Sequence, residues 1–561
     1  MQIFIDFVTI IFFPIILSFQ MVISGFGFNK LLFKENFNYK SKNIYLILSF
    51  IFFSNIFLLI NFFYPLNIYI NTFLFFLPLI FIKYLDFQSL KKIFFFSIKF
   101  AIFFALLVSY DNINRPDAGL YHYPFMSMLN SEKIIFGSAN LHFRFAHISI
   151  IQYLSAGLNN LIFFDKGLII IPALIYFCIA NFFYNEIKRE KNNNILLFVS
   201  YFILFQILYD MNRYSGYGND VPAHLLFLIC IYLFLKFNPK EYKSFFIISS
   251  ISILIFQSKS TLLLIFMIPL IILILNKRLD FLFKKRNMIL IFFVIAWFLK
   301  NVIISGCLLF PKEITCSDKV FWSSSLITNI NSADKVSLEN EARSKDHPNR
   351  IERDLNYSEY LKTNWRTTWI KGHGKIVILK KIFPLLFLIT TLALFLYIFR
   401  RSDKSIKVYR TDEIKTYFIL LLSAAGTLTW FENFPTYRYG SSYIISFIIF
   451  SFASLSFVKK STLNKYLNLY YLNIIIALIF IKFLLKYDSS QNMWPNIYNY
   501  TSKKLVPPKV KKININNDFA YYKTVNGGIC MYNLSPCTHF DMNEKLSFKI
   551  INNYKFFYLN L

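Results

Sequence analysis

Acidic residues are scarce in this chain. It carries 30 Asp and Glu against 60 Lys and Arg, a formal net charge of +30 over 561 residues. Almost none of the acids falls inside an apolar run, Asp6 being the exception. A proton-coupled transporter places acids and histidines near the bilayer midplane, in broken spans. Their near absence argues against a pump. Cysteines are few as well, six in all, and none is in CxxC spacing, which argues against a structural zinc site. The first residues, MQIFIDFVTIIFFPIILSFQMVIS, lack a basic n-region and a small-residue cleavage site. They read as a retained first span rather than a cleaved signal.

Apolar residues fill the space that charge leaves. They make up 56% of the chain, and Phe alone occurs 70 times. A soluble domain is nearer 45–50% apolar. Apolar runs that could cross a bilayer, which takes roughly 20 residues each, recur along the chain. Spans are placed at 3–24, 44–62, 67–82, 93–110, 167–185, 194–210, 221–237, 244–258, 260–276, 287–305, 376–399, 416–431, 440–458 and 468–486. The expected fold is an all-α polytopic membrane bundle of about fourteen helices. The two runs within 244–276 meet at Gln257-Ser258-Lys259-Ser260 and read as a tight hairpin.

The basic residues sort the loops into two sets. Lys30 to Lys42, Lys83 to Lys92, Lys188 to Lys191, Lys236 to Lys243, Lys277 to Arg286, Arg400 to Lys415 and Lys459 to Lys465 fall in every second loop. That is the positive-inside distribution, and it assigns these loops to the cytoplasm. It also places both termini outside. A basic stripe for nucleic acid is not implied, because the charge is spread over short loops. The partner implied is the lipid bilayer.

The remaining loops differ in kind. Residues 111–166 form a long loop, polar and aromatic by turns; within it, 147–158 reads as a helix lying at the interface. Residues 306–375 form a larger one with Trp322, Trp365 and Trp369. The transmembrane domain is therefore 1–486, and the tail 487–561 is a separate outer domain. Inside the tail, residues 518–534 read as two strands around Asn526-Gly527-Gly528, suggesting a small β or α/β cap. Cys178 and Cys230 sit within apolar runs. The other four cysteines fall in outer segments, as a C-x8-C pair, Cys307–Cys316, and a C-x6-C pair, Cys530–Cys537. On an oxidising face both read as local disulfides.

All seven histidines, His122, His142, His147, His224, His347, His373 and His539, lie at or beyond the outer ends of the spans. Three share the first loop with Asp117, Glu132 and Arg144. Other charges close a span or open one: Asp210, Arg213, Asp220, Lys259, Lys300, Glu432 and Arg438. Each reads either as a snorkelling cap or as part of a site. A carboxylate takes a proton from an attacking hydroxyl. Arginine and lysine hold a phosphate leaving group.

The stretches PDAGLYHYP and GSANLHFRFAHISIIQYLSA resemble the first large outer loop of C-type (GT-C) glycosyltransferases. They are more closely similar to a family of multi-span envelope proteins found with surface-polysaccharide genes. GYGNDVPAHLL, WFLKNVIISGCLLFPKEITC and GGICMYNLSPCTHF follow in that family's order. The resemblance touches about a sixth of the chain. It implies a GT-C-like bundle in a bacterial inner membrane with its site facing the periplasm. The implied reaction is inverting transfer of a sugar from a polyprenyl-phosphate donor to a glycan or lipid-linked acceptor. Asp117 matches the general base or metal ligand, Asp220 the second acid, and Arg438 a contact to the donor phosphate. His122, Arg144, His147, Arg213, Lys259 and Glu432 complete the candidate substrate-binding set. The paired-acid motif of such enzymes is missing, since Asp111 lies six residues from Asp117. A divalent cation, magnesium or manganese, stays an open alternative. So do a polysaccharide polymerase or ligase and a non-enzymatic glycolipid flippase or transporter.

Overall fold

A computed structural model describes residues 2–110, 117–190, 193–210, 217–218, 220–310, 312–317, 319–323, 340, 342–344, 362–398, 410–455, 467, 469–484, 509–516, 519–525, 529–532, 535–539 and 546–559. Among the described residues up to 305 there are twelve α-helices: α1 Gln2–Phe33, α2 Lys42–Asn61, α3 Ile68–Phe76, α4 Phe87–Tyr110, α5 Tyr123–Ser131, α6 Ile150–Ala156, α7 Ile170–Arg189, α8 Asn194–Tyr209, α9 Asp220–Lys236, α10 Tyr242–Ser258, α11 Met267–Asn276 and α12 Lys285–Ser305. Later come a helical run that starts at Trp365, then Arg410–Asn433, Tyr437–Ala453 and Leu469–Leu484.

Most of these helices are apolar on every side, so the sequence carries no solvent face for them. Local signals set their ends. Asn67 and Asn193 accept backbone N–H bonds as N-caps of α3 and α8. Ser149 and Gln152 form a reciprocal capping box at α6. Gly306, with φ +75°, ends α12 in the left-handed conformation that glycine tolerates.

Among the described residues, six helices are long and apolar enough to cross a membrane: Thr9–Phe33, Tyr39–Asn61, Phe164–Arg189, Lys285–Ser305, Trp365–Leu394 and Glu413–Asn433. Four shorter apolar helices accompany them, Ile68–Tyr84, Asn194–Tyr209, Tyr242–Ser258 and Ser260–Asn276. The expected count of fourteen is larger than these six. One reason lies in the backbone. The expected span 67–82 is α3 followed by a 3-10 segment, Leu77–Tyr84, and the expected span 260–276 begins as a 3-10 segment, Ser260–Phe266. Hydropathy counts residues and is blind to such breaks.

α2 is buried along nearly its whole length and packs against α1, α6, α7, α10 and α12. At the periphery, α12 turns Met288, Ile289, Ile291, Phe292, Ile295 and Leu299 outward. An exposed apolar stripe of that kind suits contact with lipid tails.

The two ends of the bundle differ as the charge pattern requires. At one end Lys236 pairs with Glu186 and Glu190, Lys243 pairs with Glu35, and the Lys415 ammonium donates to the carbonyls of Leu235 and Phe237. The opposite ends of α9, α10 and α12 carry Asp220, Lys259 and Lys300. That second end also carries the loop from Asp117 to Lys166 and a β cap.

In the cap, β1 (Val510–Asn516) pairs antiparallel with β2 (Phe519–Thr524), and β3 (Cys537–Thr538) pairs parallel with β2. β4 (Leu546–Ile551) and β5 (Tyr554–Leu559) form a hairpin whose turn residues Asn552 and Asn553 both have positive φ. The antiparallel partner of β2 therefore lies before it, where the sequence reading expected the second strand directly around Asn526-Gly527-Gly528; those three residues lie outside the described ones. Cys307–Cys316 and Cys530–Cys537 are disulfides, with S–S distances of 2.06 and 2.02 Å, and Cys178 and Cys230 are buried thiols.

α6 corrects the reading of 147–158 as an interfacial helix. All seven of its residues are buried. Its polar side chains face protein partners instead of water. The Gln152 side-chain Oε1 accepts the Ser149 N–H, and the Tyr217 hydroxyl donates to Ser155 Oγ at 3.2 Å. Paired in this way, Gln152 Oε1 and Ser155 cost little to bury.

Candidate functional site

Three helix ends and one loop converge at the cap end of the bundle. Asp117 stands at the start of a π-helical turn, Ala118–His122, with its side chain about half exposed (45%). Its Oδ2 lies 3.5 Å from Nη1 of Arg438, at the start of the helix Tyr437–Ala453. Asp220, the first residue of α9, is ion-paired with Lys259, which follows the last turn of α10. The two pairs are joined through the backbone of Arg438, whose carbonyl accepts the Lys259 ammonium at 3.1 Å.

His224 strengthens that joint. It follows Asp220 by one helical turn, so both face the same way. Its Nε2 lies 2.8 Å from the Arg438 carbonyl and its Nδ1 lies 2.8 Å from Ser442 Oγ. A carbonyl can only accept, so Nε2 carries the proton and Nδ1 accepts from the serine.

Aromatic rings line the charged groups. The Arg438 guanidinium donates to the Tyr439 hydroxyl at 2.9 Å, and the Lys259 ammonium sits 4.5 Å from the Tyr439 ring centre. Arg144 lies over Phe143 at 4.9 Å and over Tyr121 at 5.9 Å. It is near enough to Tyr121 and His122 to act on both electrostatically. The cluster thus gathers three cations, Arg144, Lys259 and Arg438, against two carboxylates. With His122 neutral, it holds a surplus positive charge.

His122 is buried between the rings of Tyr121 and Tyr217, at 4.3 and 5.4 Å. Burial holds its imidazole down at about 4, with Asp117 and Asp220 pulling upward and Arg144 adding to the depression. The unfolded side chain titrates near 6.5. As pH falls below that value, the unfolded chain takes up the proton first, so stability is lost until the folded imidazole also titrates. The expected loss is about 3 kcal/mol below pH 4. Melting temperature in detergent, measured between pH 7 and pH 4, should therefore fall less steeply in His122→Gln than in wild type. An equal slope in the two proteins contradicts the assignment.

The remaining candidates are placed as follows. The His147 ring packs 4.9 Å from Phe310, beside the end of α12. Glu432 pairs with Arg366 at 3.0 Å, both more than half exposed, and no described contact joins it to Asp117 or Asp220. Arg213, His347 and Asp111 lie outside the described residues. Lys300 is fully buried with its ammonium 3.6 Å from the Trp297 ring centre. Asp210 is paired with Lys381 and accepts from Gln206 and Tyr437, so it anchors the residue next to Arg438. Sequence reasoning passed over Tyr121, Tyr439 and Ser442 as site residues. Tyr439 is adjacent to Arg438, and that adjacency was the available signal. A small cavity nearby, lined by Asn61, Glu132, Ser138, Tyr153 and Ile304 among others, does not include Asp117, Asp220 or Arg438.

Among the described residues no three His, Cys, Asp or Glu side chains stand together as ligands, and Asp117 and Asp220 each already face a cation.

Fold and site together define a helical membrane protein with a charged, aromatic-lined cluster at one end of its bundle. A family described as Domain of unknown function (DUF8201) matches residues 7–445, and the chain belongs to that family. The match takes in Asp117, Asp220, Lys259 and Arg438 and stops before the β cap. No curated protein and no solved structure matches the chain.

Proposed function

We propose that this protein is a membrane glycosyltransferase of GT-C-like architecture. In this reading it moves a sugar from a polyprenyl-phosphate donor to a cell-envelope glycan or lipid-linked acceptor. The observation that carries the reading is the ion pair of Asp117 with Arg438, held beside Asp220 and Lys259. A half-exposed carboxylate is thereby set next to a surplus of cations at one end of an apolar bundle. Polyprenyl phosphate fits such a place, because its chain is apolar and its head is anionic.

In the proposed reaction the acceptor hydroxyl oxygen attacks the anomeric carbon. The bond from that carbon to the phosphate oxygen breaks, and the anomeric configuration inverts. Asp117 takes the hydroxyl proton. The polyprenyl phosphate leaves with the bonding pair, and Arg438, with Lys259 and Arg144 behind it, stabilises the charge that grows on its oxygen. Tyr121 and Tyr439 offer faces on which a sugar ring stacks. Asp220 holds Lys259 in place. No step is routed through a metal. The proposal includes about fourteen spans, an inner-membrane location and a periplasmic site.

The test uses the purified full chain in proteoliposomes with polyprenyl-phosphate sugars and envelope glycan acceptors. Covalent transfer to an acceptor supports the reading. Translocation of the glycolipid without covalent change overturns it in favour of a flippase.

A further inference from the structure

The β cap reaches back to the loop that bears Asp117, and it does so at two separate places. β5 forms one. The Phe136 N–H donates to the Lys555 carbonyl at 2.9 Å and the Phe557 N–H donates to the Phe136 carbonyl at 2.8 Å, while Lys555 pairs with Glu132. The second is the segment Ile529–Tyr532. The Met531 N–H donates to the Gly119 carbonyl at 2.9 Å, two residues from Asp117. Gly119 has no side chain, and one would be obstructed: a Cβ there would lie 2.6 Å from the Met531 sulfur and 3.0 Å from an Ile529 methyl. The Tyr532 hydroxyl donates to Asn130 Oδ1 at 2.9 Å and accepts from the Asn159 amide at 2.6 Å. It thereby ties α5, at the far side of the Asp117 turn, to the stretch just after α6.

The Cys530–Cys537 disulfide gives this contact its anchor. Cys537 belongs to β3 and is held in register with Tyr522 of β2. Cys530 is the residue before Met531. The bond therefore fastens the contacting segment to the sheet, and the stacking of Phe519 of β2 on Phe548 of β4 at 4.2 Å joins that sheet to the hairpin whose β5 meets the loop.

We propose that Met531 and Tyr532, held by the Cys530–Cys537 disulfide, are positioning residues that clamp the turn Ala118–His122 and so fix Asp117. The clamp is a function of the tail that lies beyond the matched family region. Its effect on catalysis rests on the proposed role of Asp117. Its effect on the loop does not.

Two variants of the full chain in lipid nanodiscs test it. Cys530→Ser with Cys537→Ser removes the anchor, and Tyr532→Phe removes only the hydroxyl. Backbone hydrogen exchange over residues 118–131 should quicken about tenfold in the first and several-fold in the second, with residues 42–61 unchanged. In the transfer assay kcat should fall by a similar factor with KM for the donor unchanged. Unaltered exchange at 118–131 in both variants overturns the clamp. If the cysteine variant does not fold, Tyr532→Phe alone decides by the same readout. Faster exchange without transfer by the wild-type protein upholds the clamp and counts against the glycosyltransferase reading.

Discussion

Replacing Asp117 by asparagine is expected to lower transfer by about 10²–10⁴-fold while the protein still inserts and folds. The size follows from the proposed role. An amide of the same shape cannot take the proton from the attacking hydroxyl, so the nucleophile stays weak. Folding should survive because the Asp117 side chain is about half exposed and its pair with Arg438 is 3.5 Å long. Exposed pairs of this kind contribute only about 0–1 kcal/mol. The measurement is the initial rate in proteoliposomes, with melting temperature and membrane yield as controls. Full activity in Asp117→Asn would sink the assignment of the base.

Arg438→Gln should cost nearly as much, about 10²–10³-fold in kcat/KM, the range seen when one donor to a developing anion is removed. The structure separates this effect from a folding defect. The parts of Arg438 that hold α9 and α10 to the last helices are backbone: its carbonyl accepts from Lys259 and from His224. Glutamine keeps that carbonyl. What it loses is the guanidinium beside Asp117 and Tyr439. Arg438→Lys should recover part of the rate, since it restores the charge but not the planar fork. The comparison is made at saturating acceptor while the donor is varied. A glutamine variant that matches wild type in both kcat and KM removes Arg438 from the site.

The two-ended character of the bundle was legible in the sequence, because lysines in alternate loops have one low-cost place to be. So were both disulfides, whose short spacings leave few other partners. Asp220, Lys259 and Arg438 were legible as candidates from their positions at span ends and Asp117 from the first outer loop and the resemblance it carries, and the structure brings those four together. Glu432 shows the limit of that reasoning. It too ends a helix, but a charge at a helix end can turn toward the bundle or toward water, and hydropathy does not record which. Glu432 turns to Arg366 at the surface. α6 shows a second limit. The stretch read as a helix at the interface, but its polar groups Ser155 and Gln152 meet Tyr217 and the helix's own N-terminus, and the former comes from a distant part of the chain. The clamp was invisible for the same reason. Nothing local in residues 529–532 announces that they meet Gly119 and Asn130.

The pairing of Asp117 with Arg438 also has a consequence in time. The arginine lies more than three hundred residues further along the chain. At a synthesis rate of about 5–20 residues per second, the carboxylate leaves the ribosome roughly 15 to 60 s before its partner, and the tail that grips its loop follows later still. Throughout that interval the loop is tethered only by its own half of the bundle. Ending the chain anywhere between Asp117 and residue 438 would therefore leave that carboxylate without the arginine it pairs with.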